Sequence, residues 1–294
     1  MLFRKGSHSV LLFLALCAFL GWHFSRGPRL EGTSDVAQVP GKTESKAPVK
    51  KGPRIAIVTY ATYEKSYIHL SLRNKDHYAR MQGYDFIVDY ELHTDRGATW
   101  WKFNMMERLI KKRKWDWIWF VDFDTLVTNM QIKLEDIIDA TLANVTSPAE
   151  IDWLKTHDCN GLNTGSYMVR GTSDRPIDFI QKTYKIHDEA KETGKQMSEQ
   201  DAMVQLMKNE PAEMARTIQV PQWKLNAFPK EIACFDESRQ VWEPGMFMLH
   251  FAGAWAHVKG DDPTGQLMTR YEPEIQWGHW EDFYEQPRPG YTNF

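Results

Sequence analysis

Hydrophobic and polar positions along this chain follow two rhythms, one of continuous apolar runs and one of apolar residues three to four apart. The run RIAIVTY, residues 54–60, is apolar and β-branched, the composition of a buried strand. Behind it, Ile68, Leu72 and Ala79 recur at helical spacing and predict a helix over residues 67–81, which Gly83 ends. YDFIVDY predicts a second strand, and Phe103, Met106 and Ile110 predict a helix over residues 101–112. WDWIWFVD is a third, fully apolar strand. Further on, residues 166–169 read as a short strand, 176–192 and 199–208 as helices, and 246–251 as a last buried strand. Strands alternating with helices predict an α/β fold, with a largely parallel sheet covered on both faces and ligands bound beyond the carboxyl ends of the strands. Asp122 lies at such an end. No internal repeat and no break in the pattern appear after residue 53.

The N-terminal pattern is of another kind. Arg4 and Lys5 precede the uncharged run VLLFLALCAFLGWHF, residues 10–24, which suits a bilayer. Two readings fit, a signal anchor over residues 9–25 and a cleaved secretory signal with Ala15, Cys17 and Ala18 near the cut; length and flanks favour the anchor. Positive charge on the short N-terminal side keeps residues 1–8 cytosolic and Trp22 suits the interface, so the remainder faces the secretory lumen. Residues 26–52 are rich in Gly, Ser, Thr, Pro and Lys and have too few large apolar side chains to fold, as in a stem. The catalytic body is expected over 53–280 and an irregular tail over 281–294.

Composition narrows the function. A formal net charge of -3 gives no basic surface for displacing counterions from phosphates, which excludes nucleic acid as the expected partner. Of three cysteines, Cys17 lies in the apolar run; Cys159 and Cys234 are either bridged in an oxidising lumen or small buried side chains. Asn144-Val145-Thr146 fits a glycosylation sequon.

The chemistry centres on VDFDT. Two carboxylates two residues apart at the end of an apolar strand repel unless a cation neutralises them, and hard oxygen ligands of this kind suit Mg²⁺ or Mn²⁺ bridging to a diphosphate. A solvated turn explains the same pair without a metal. The Asp-x-Asp-x-Thr of haloacid-dehalogenase-type phosphatases is a rival, but here Thr125 follows directly, position 126 is Leu, and two strand-helix units come first. HDCNGLNTGSYMVRG sets Gly161, Gly165 and short polar side chains before a strand, as a tight loop lining a sugar or phosphate pocket does; an ordinary turn is the alternative. In MSEQDAM, Ser198 and Asp201 fit a capping box, which by itself accounts for the cluster. In MFMLHFAGAWAHVKG, His250 ends a strand where its imidazole can reach a metal.

In this order, TWWKFNMM, WIWFVDFDT, NGLNTGSYMVR, SEQDAM and LHFAGAW resemble glycosyltransferase family 34, which includes fungal galactosyltransferases, α-1,6-mannosyltransferases and plant xyloglucan xylosyltransferases. The resemblance runs from about Arg54 to about Lys259. It implies a GT-A type, Rossmann-like nucleotide-sugar-binding domain, an N-terminal transmembrane helix, type II topology in the Golgi membrane, manganese (Mn²⁺) dependence and retention of anomeric configuration. By that resemblance Asp122, Asp124 and His250 hold the metal; Asn163, Thr164 and Gly165 line the donor sugar; Glu199 and Gln200 form the catalytic acidic-amide pair. The family position of Glu199 is usually Asp, so this carboxylate reaches one methylene further. Where relatives place a diphosphate-binding lysine after HF-x-G, this chain has Trp255, leaving Lys259 and Lys102 as candidate cations. Thr59 opens the segment 59–63 expected to read the donor base.

These readings predict a hexosyltransferase moving galactose, mannose or xylose, galactose foremost, from UDP-galactose or GDP-mannose as the main candidate donors to a glycan acceptor. Homo- or hetero-oligomers with related transferases belong to the same expectation. The competing readings are a non-catalytic or partner-dependent glycan-binding subunit of a mannosyltransferase complex and a lumenal phosphohydrolase. The twelve tryptophans are expected mainly in the core rather than as sugar platforms.

Overall fold

The computed structural model describes residues 52–284, apart from the side chains of residues 282 and 284. The expected tail 1–8, the anchor 9–25 and nearly all of the stem lie outside the described residues, as does the chain beyond 284. Among the described residues no helix is long and apolar enough to cross a membrane.

The three apolar runs form β1 (Ile55–Tyr60), β2 (Asp85–Asp89) and β3 (Trp117–Val121), paired parallel in the order β2-β1-β3. Helix α1 (Ile68–Gln82) joins β1 to β2 and ends at Gly83, whose φ of 70° is the left-handed turn that glycine adopts without steric cost. Helix α2 (Trp101–Lys111) joins β2 to β3. Side chains alternate strictly along the buried strands. On β1 and β3, Ile55, Ile57, Trp117, Trp119 and Val121 face α1; Ala56, Val58, Ile118 and Phe120 face α2. Each fully buried large side chain here contributes about 1.5–3 kcal/mol.

Beyond β3 the sheet departs from the parallel expectation. β6 (Gly161–Arg170) runs antiparallel to β3, β5 (Trp153–Asp158) antiparallel to β6, and β7 (Thr217–Gln219) parallel to β5, giving the order β2-β1-β3-β6-β5-β7. The sheet is therefore mixed: β5 and β6 join through a tight hairpin, which antiparallel strands permit and parallel ones do not. The expected pocket loop before residue 166 is mostly strand, its turn confined to Cys159 and Asn160 with Gly161 at φ 105°. Helices α4 (Arg175–Glu192) and α5 (Glu199–Asn209) cover the α2 side.

The last expected strand is shorter and lies elsewhere. β8 (Met248–His250) leaves the main sheet and pairs antiparallel with β4 (Thr125–Val127), the segment following the Asp-x-Asp turn. Helix α3 (Leu134–Leu142), not expected from sequence, buries Leu134, Ile137 and Ile138 beside this small sheet. Cys159 and Cys234 form a disulfide. Most described tryptophans are core, while Trp255 and Trp280 are exposed.

Candidate active site

The pairing of β4 with β8 builds the site. Its register sets His250 opposite Thr125, which brings the imidazole to the turn between β3 and β4. Asp122, Asp124 and His250 can each offer one ligand atom within 4.8 Å of the others. His250 Nε2 lies 3.4 Å from Asp124 Oδ1 and 4.0 Å from Asp122 Oδ2. The imidazole is almost fully buried, whereas the two carboxylate side chains keep 28% and 26% of their exposure, so the cluster opens on its acidic side. Two carboxylates and an imidazole form a donor set that suits Mn²⁺ or Mg²⁺. A second group, Asp158 with Cys159 and Cys234, offers no such set because its sulfurs are bonded to each other.

The turn is fixed from below by a residue the sequence pattern did not mark. Lys75, on α1 and buried, donates to the carbonyls of Thr125 at 2.9 Å and Phe123 at 3.4 Å, and to Ser71 Oγ at 2.8 Å. Burial pulls its pKa down to about 7, while Asp124 and Asp122 act against that fall. Thr125 Oγ1 donates to the Asp122 carbonyl at 2.8 Å, and Phe251 N–H to the Asp124 carbonyl at 3.0 Å. The only cue in sequence was a lysine flanked by helix-face residues, which reads as a solvated position.

Electrostatically the carboxylates differ. Burial pushes Asp122 above the usual carboxylate range against the pull of Lys102, and Asp124 adds to the rise. Burial acts on Asp124 too, but His250 when it is protonated, with Lys75 behind, holds it below that range. Lys102 Nζ is buried among Thr164 O and Oγ1, each at 3.1 Å, and Asp122 and Glu199, each at 3.4 Å. Burial alone would lower its pKa; Asp122 and Glu199 raise it instead. The cation expected on a diphosphate thus neutralises the chain's own carboxylates. Lys259 is exposed on the segment after α8 (Ala254–His257), outside the cluster. That helix also carries Trp255, which is 78% exposed.

Ser198 and Asp201 form the expected capping box at the start of α5, which delivers Glu199 and Gln200 to β6. Thr164 Oγ1 donates to Glu199 Oε1 at 2.7 Å, and Thr164 N–H donates to Gln200 Oε1 at 2.7 Å. Glu199 is 3% exposed; burial would raise its pKa, but Lys102, Thr99 and Thr164 hold it lowered. Gln200 is half-buried. Gly165 is obligatory, since a Cβ there would fall 2.1 Å from His250 Cε1. Asn163 does not line an open sugar pocket: it is 7% exposed, its Nδ2 donating to Asp158 and its Oδ1 accepting from Gly165 N–H and Asn226 Nδ2. Thr59 ends near the tip of β1, fully buried, its Oγ1 without a partner among the described residues. Tyr60 beside it is raised by burial, with Lys102, Asp122 and Glu199 all acting on it.

Residues 53–143 and 138–260 match the galactosyl transferase GMA12/MNN10 family, glycosyltransferase family 34. The chain belongs to this family. It is 24% identical over 242 residues to the probable α-1,2-galactosyltransferase gmh1 of Schizosaccharomyces pombe, covering 73% of this chain and 70% of that protein. It is 26% identical over 187 residues to the probable α-1,6-mannosyltransferase MNN10 of Saccharomyces cerevisiae, covering 54% of this chain and 47% of that protein. A solved glycosyltransferase involved in the glycosylation of the major capsid of PBCV-1 superposes with a TM-score of 0.54 at 16% identity, over 74% of this chain and all of that one. The family 34 chain thus has an α/β glycosyltransferase fold with a mixed sheet resembling the GT-A type, and the family expected from its motifs is the one matched.

Proposed function

We propose that this chain is a metal-dependent, retaining hexosyltransferase of the Golgi lumen that moves galactose, or alternatively mannose, from a nucleotide sugar to a glycan hydroxyl. The observation that carries the reading is the convergence of Asp122, Asp124 and His250 at the carboxyl end of β3, where sheets of this class bind ligands. Galactose is favoured because several similar relatives are named α-1,2-galactosyltransferases. The chain spans 70%, 62% and 64% of the length of those three relatives. The lumenal setting rests on the apolar run at residues 10–24 and the exposed sequon asparagine Asn144.

Asp122, Asp124 and His250 are the residues that would hold Mn²⁺. A divalent cation there supplies charge neutralisation for a departing nucleoside diphosphate. Lys102 opposes the burial that disfavours charge on Asp122 and Glu199, and holds both carboxylates in place. In transfer the bond from the anomeric carbon to the diphosphate oxygen breaks first, the acceptor oxygen bonds to that carbon from the same face, and the acceptor proton passes to the diphosphate. Glu199, 3% exposed with one oxygen held by Thr164, serves as a buried negative charge rather than as a nucleophile. Gln200, whose Oε1 is anchored on Thr164, steadies the cationic sugar.

The test pairs Asp124→Ala with His250→Ala. Each is expected to remain folded by circular dichroism while Mn²⁺ binding is lost and transfer falls by on the order of 10²–10³. Full transfer in either variant rejects the metal assignment.

A further inference from the structure

The imidazole that completes the cluster is held by an internal hydrogen-bond chain whose direction is fixed at its far end. Asp158 offers only carboxylate oxygens, so the Asn163 group 2.7 Å from its Oδ2 must be the donating Nδ2. Asn163 Oδ1 is then the acceptor, as the Gly165 N–H at 2.8 Å independently requires. That oxygen takes a second bond from Asn226 at 3.0 Å, so the Asn226 group facing it is Nδ2, which also reaches Thr156 Oγ1 at 2.9 Å. Asn226 Oδ1 is thereby turned to His250 Nδ1 at 2.8 Å, nearer than Asp124 Oδ1 is to Nε2 at 3.4 Å, and as the closer acceptor it draws the proton of the neutral ring to Nδ1. Every amide orientation in the chain follows from a group that can act in one sense only.

We propose that Asn226 is a positioning residue that keeps the His250 proton on Nδ1 and so leaves Nε2 as the nitrogen presented to the two aspartates. The inference rests on the reading of Asp122, Asp124 and His250 as a metal centre. Imidazole ligands are commonly fixed by such a partner on the second nitrogen, and its loss weakens metal binding by about 10–100-fold.

The surroundings make Asn226 more than a neighbour. Asn226 and Thr156 are fully buried. The segment behind Asn226 grips the same histidine twice more, because His250 N–H donates to Ala227 O at 2.7 Å and the Phe228 ring meets the imidazole edge-on with centroids 5.5 Å apart. That segment is pinned to the β5-β6 hairpin by the Cys159–Cys234 disulfide, and it is closed on itself by Gln222 N–H, which donates to Asp236 at 2.8 Å. Backbone contacts and ring packing place the imidazole, but they do not choose between its two tautomers; the Asn226 oxygen does.

The test is the tautomer, read by ¹⁵N NMR of the histidine-labelled full chain, free of metal and above the ordinary imidazole titration range. His250→Gln identifies the His250 signals. Wild type is expected to show a protonated, pyrrole-type Nδ1 and a pyridine-type Nε2; the reverse assignment overturns the proposal without any variant. Asn226→Leu, of similar size but without an acceptor, is expected to move the proton to Nε2 and weaken Mn²⁺ binding about 10–100-fold by calorimetry. Asn226→Asp retains an acceptor for Nδ1–H and is expected to restore the wild-type tautomer and most of the Mn²⁺ affinity, even where it lowers thermal stability. Equal losses in both variants, or none in Asn226→Leu, overturn the positioning role. A wild-type chain that shows the stated tautomer yet binds no Mn²⁺ sinks the metal-centre reading and leaves the tautomer assignment standing.

Discussion

At the scale of single residues the site has almost no spare volume. Gly165 touches the imidazole so closely that Gly165→Ala must push His250 off the aspartates, because its Cβ would lie 2.1 Å from Cε1 and 2.7 Å from Nδ1. Turnover is expected to fall by about 10²-fold. The crowding should cost roughly 1–3 kcal/mol of stability, measurable by urea unfolding. Unchanged kcat with normal Mn²⁺ affinity would show that the histidine has room the packing denies. Gln200→Ala makes a different prediction: in the proposed reading its Oε1, anchored on Thr164, steadies the cationic sugar, so kcat should drop by about 10-fold or more with donor binding little altered. A change confined to donor Kd would place Gln200 in binding alone. The aspartate pair was legible in the chain because a DFD after an apolar strand is chemically conspicuous, and His250 was expected from the family resemblance; the structure brings the three together. Lys75 and Asn226 were not, since a buried polar residue has no periodic signature and acquires its meaning from partners distant in sequence.

At the scale of elements, α1 does more than cover the sheet. Asn74 exchanges bonds with Val127 O at 2.9 Å and Val127 N–H at 2.7 Å, and the adjacent Lys75 holds the turn carbonyls, so one helical segment grips β4 and the Asp-x-Asp turn together. The Lys75 ammonium carries a cost that shows up in pH dependence. Its folded pKa, depressed to about 7 from 10.5, means that between these values the unfolded chain binds a proton the folded chain does not. Stability of the metal-free protein therefore rises with pH across that window, with a slope approaching about 1.4 kcal/mol per pH unit from this group, and is flat in it below. Lys75→Met should remove this part of the slope in urea unfolding performed with chelator; identical slopes would mean the lysine is not buried as a neutral amine. β1 and β3 were readable from their apolar runs because both faces of each strand are covered, and β2, an edge strand fully buried only at Ile87, from the apolar centre of YDFIVDY. β6 was underestimated because Asn163, Thr164, Gly165 and Ser166 are polar or small, and their strand is stabilised by hydrogen bonds into the site instead of by apolar burial. The small β4-β8 sheet escaped prediction for another reason: three residues on each side carry no recognisable period, and their pairing is decided by tertiary contacts.

At the scale of the whole molecule, the parallel half of the sheet supplies the strand ends and the antiparallel half supplies the chemistry that meets them. β3 ends in the aspartates, while β6, running the other way, brings Thr164 and Gly165 alongside Asp122, whose N–H donates to Gly165 O at 2.7 Å. Helix α5 and strand β8 then close the ring with Glu199, Gln200 and His250. The direction of β6 and the hairpin with β5 were not legible, since hydrophobic periodicity reports burial and not strand polarity. In the proposed reading, Trp255, exposed at the spacing where the family resemblance implies a diphosphate lysine, and the internal commitment of Lys102 leave the aspartates and histidine as the principal handle on a diphosphate. Nucleotide release by the full chain tests this directly, with UDP-galactose, GDP-mannose and UDP-xylose offered separately, first with Mn²⁺ and then with chelator. The predicted result is chelator-sensitive release of one nucleoside diphosphate, UDP foremost, increased by a galactomannan or oligomannose acceptor. Release that persists undiminished in chelator, or none from any donor by a folded protein that still binds glycans, would contradict metal-dependent hexosyl transfer.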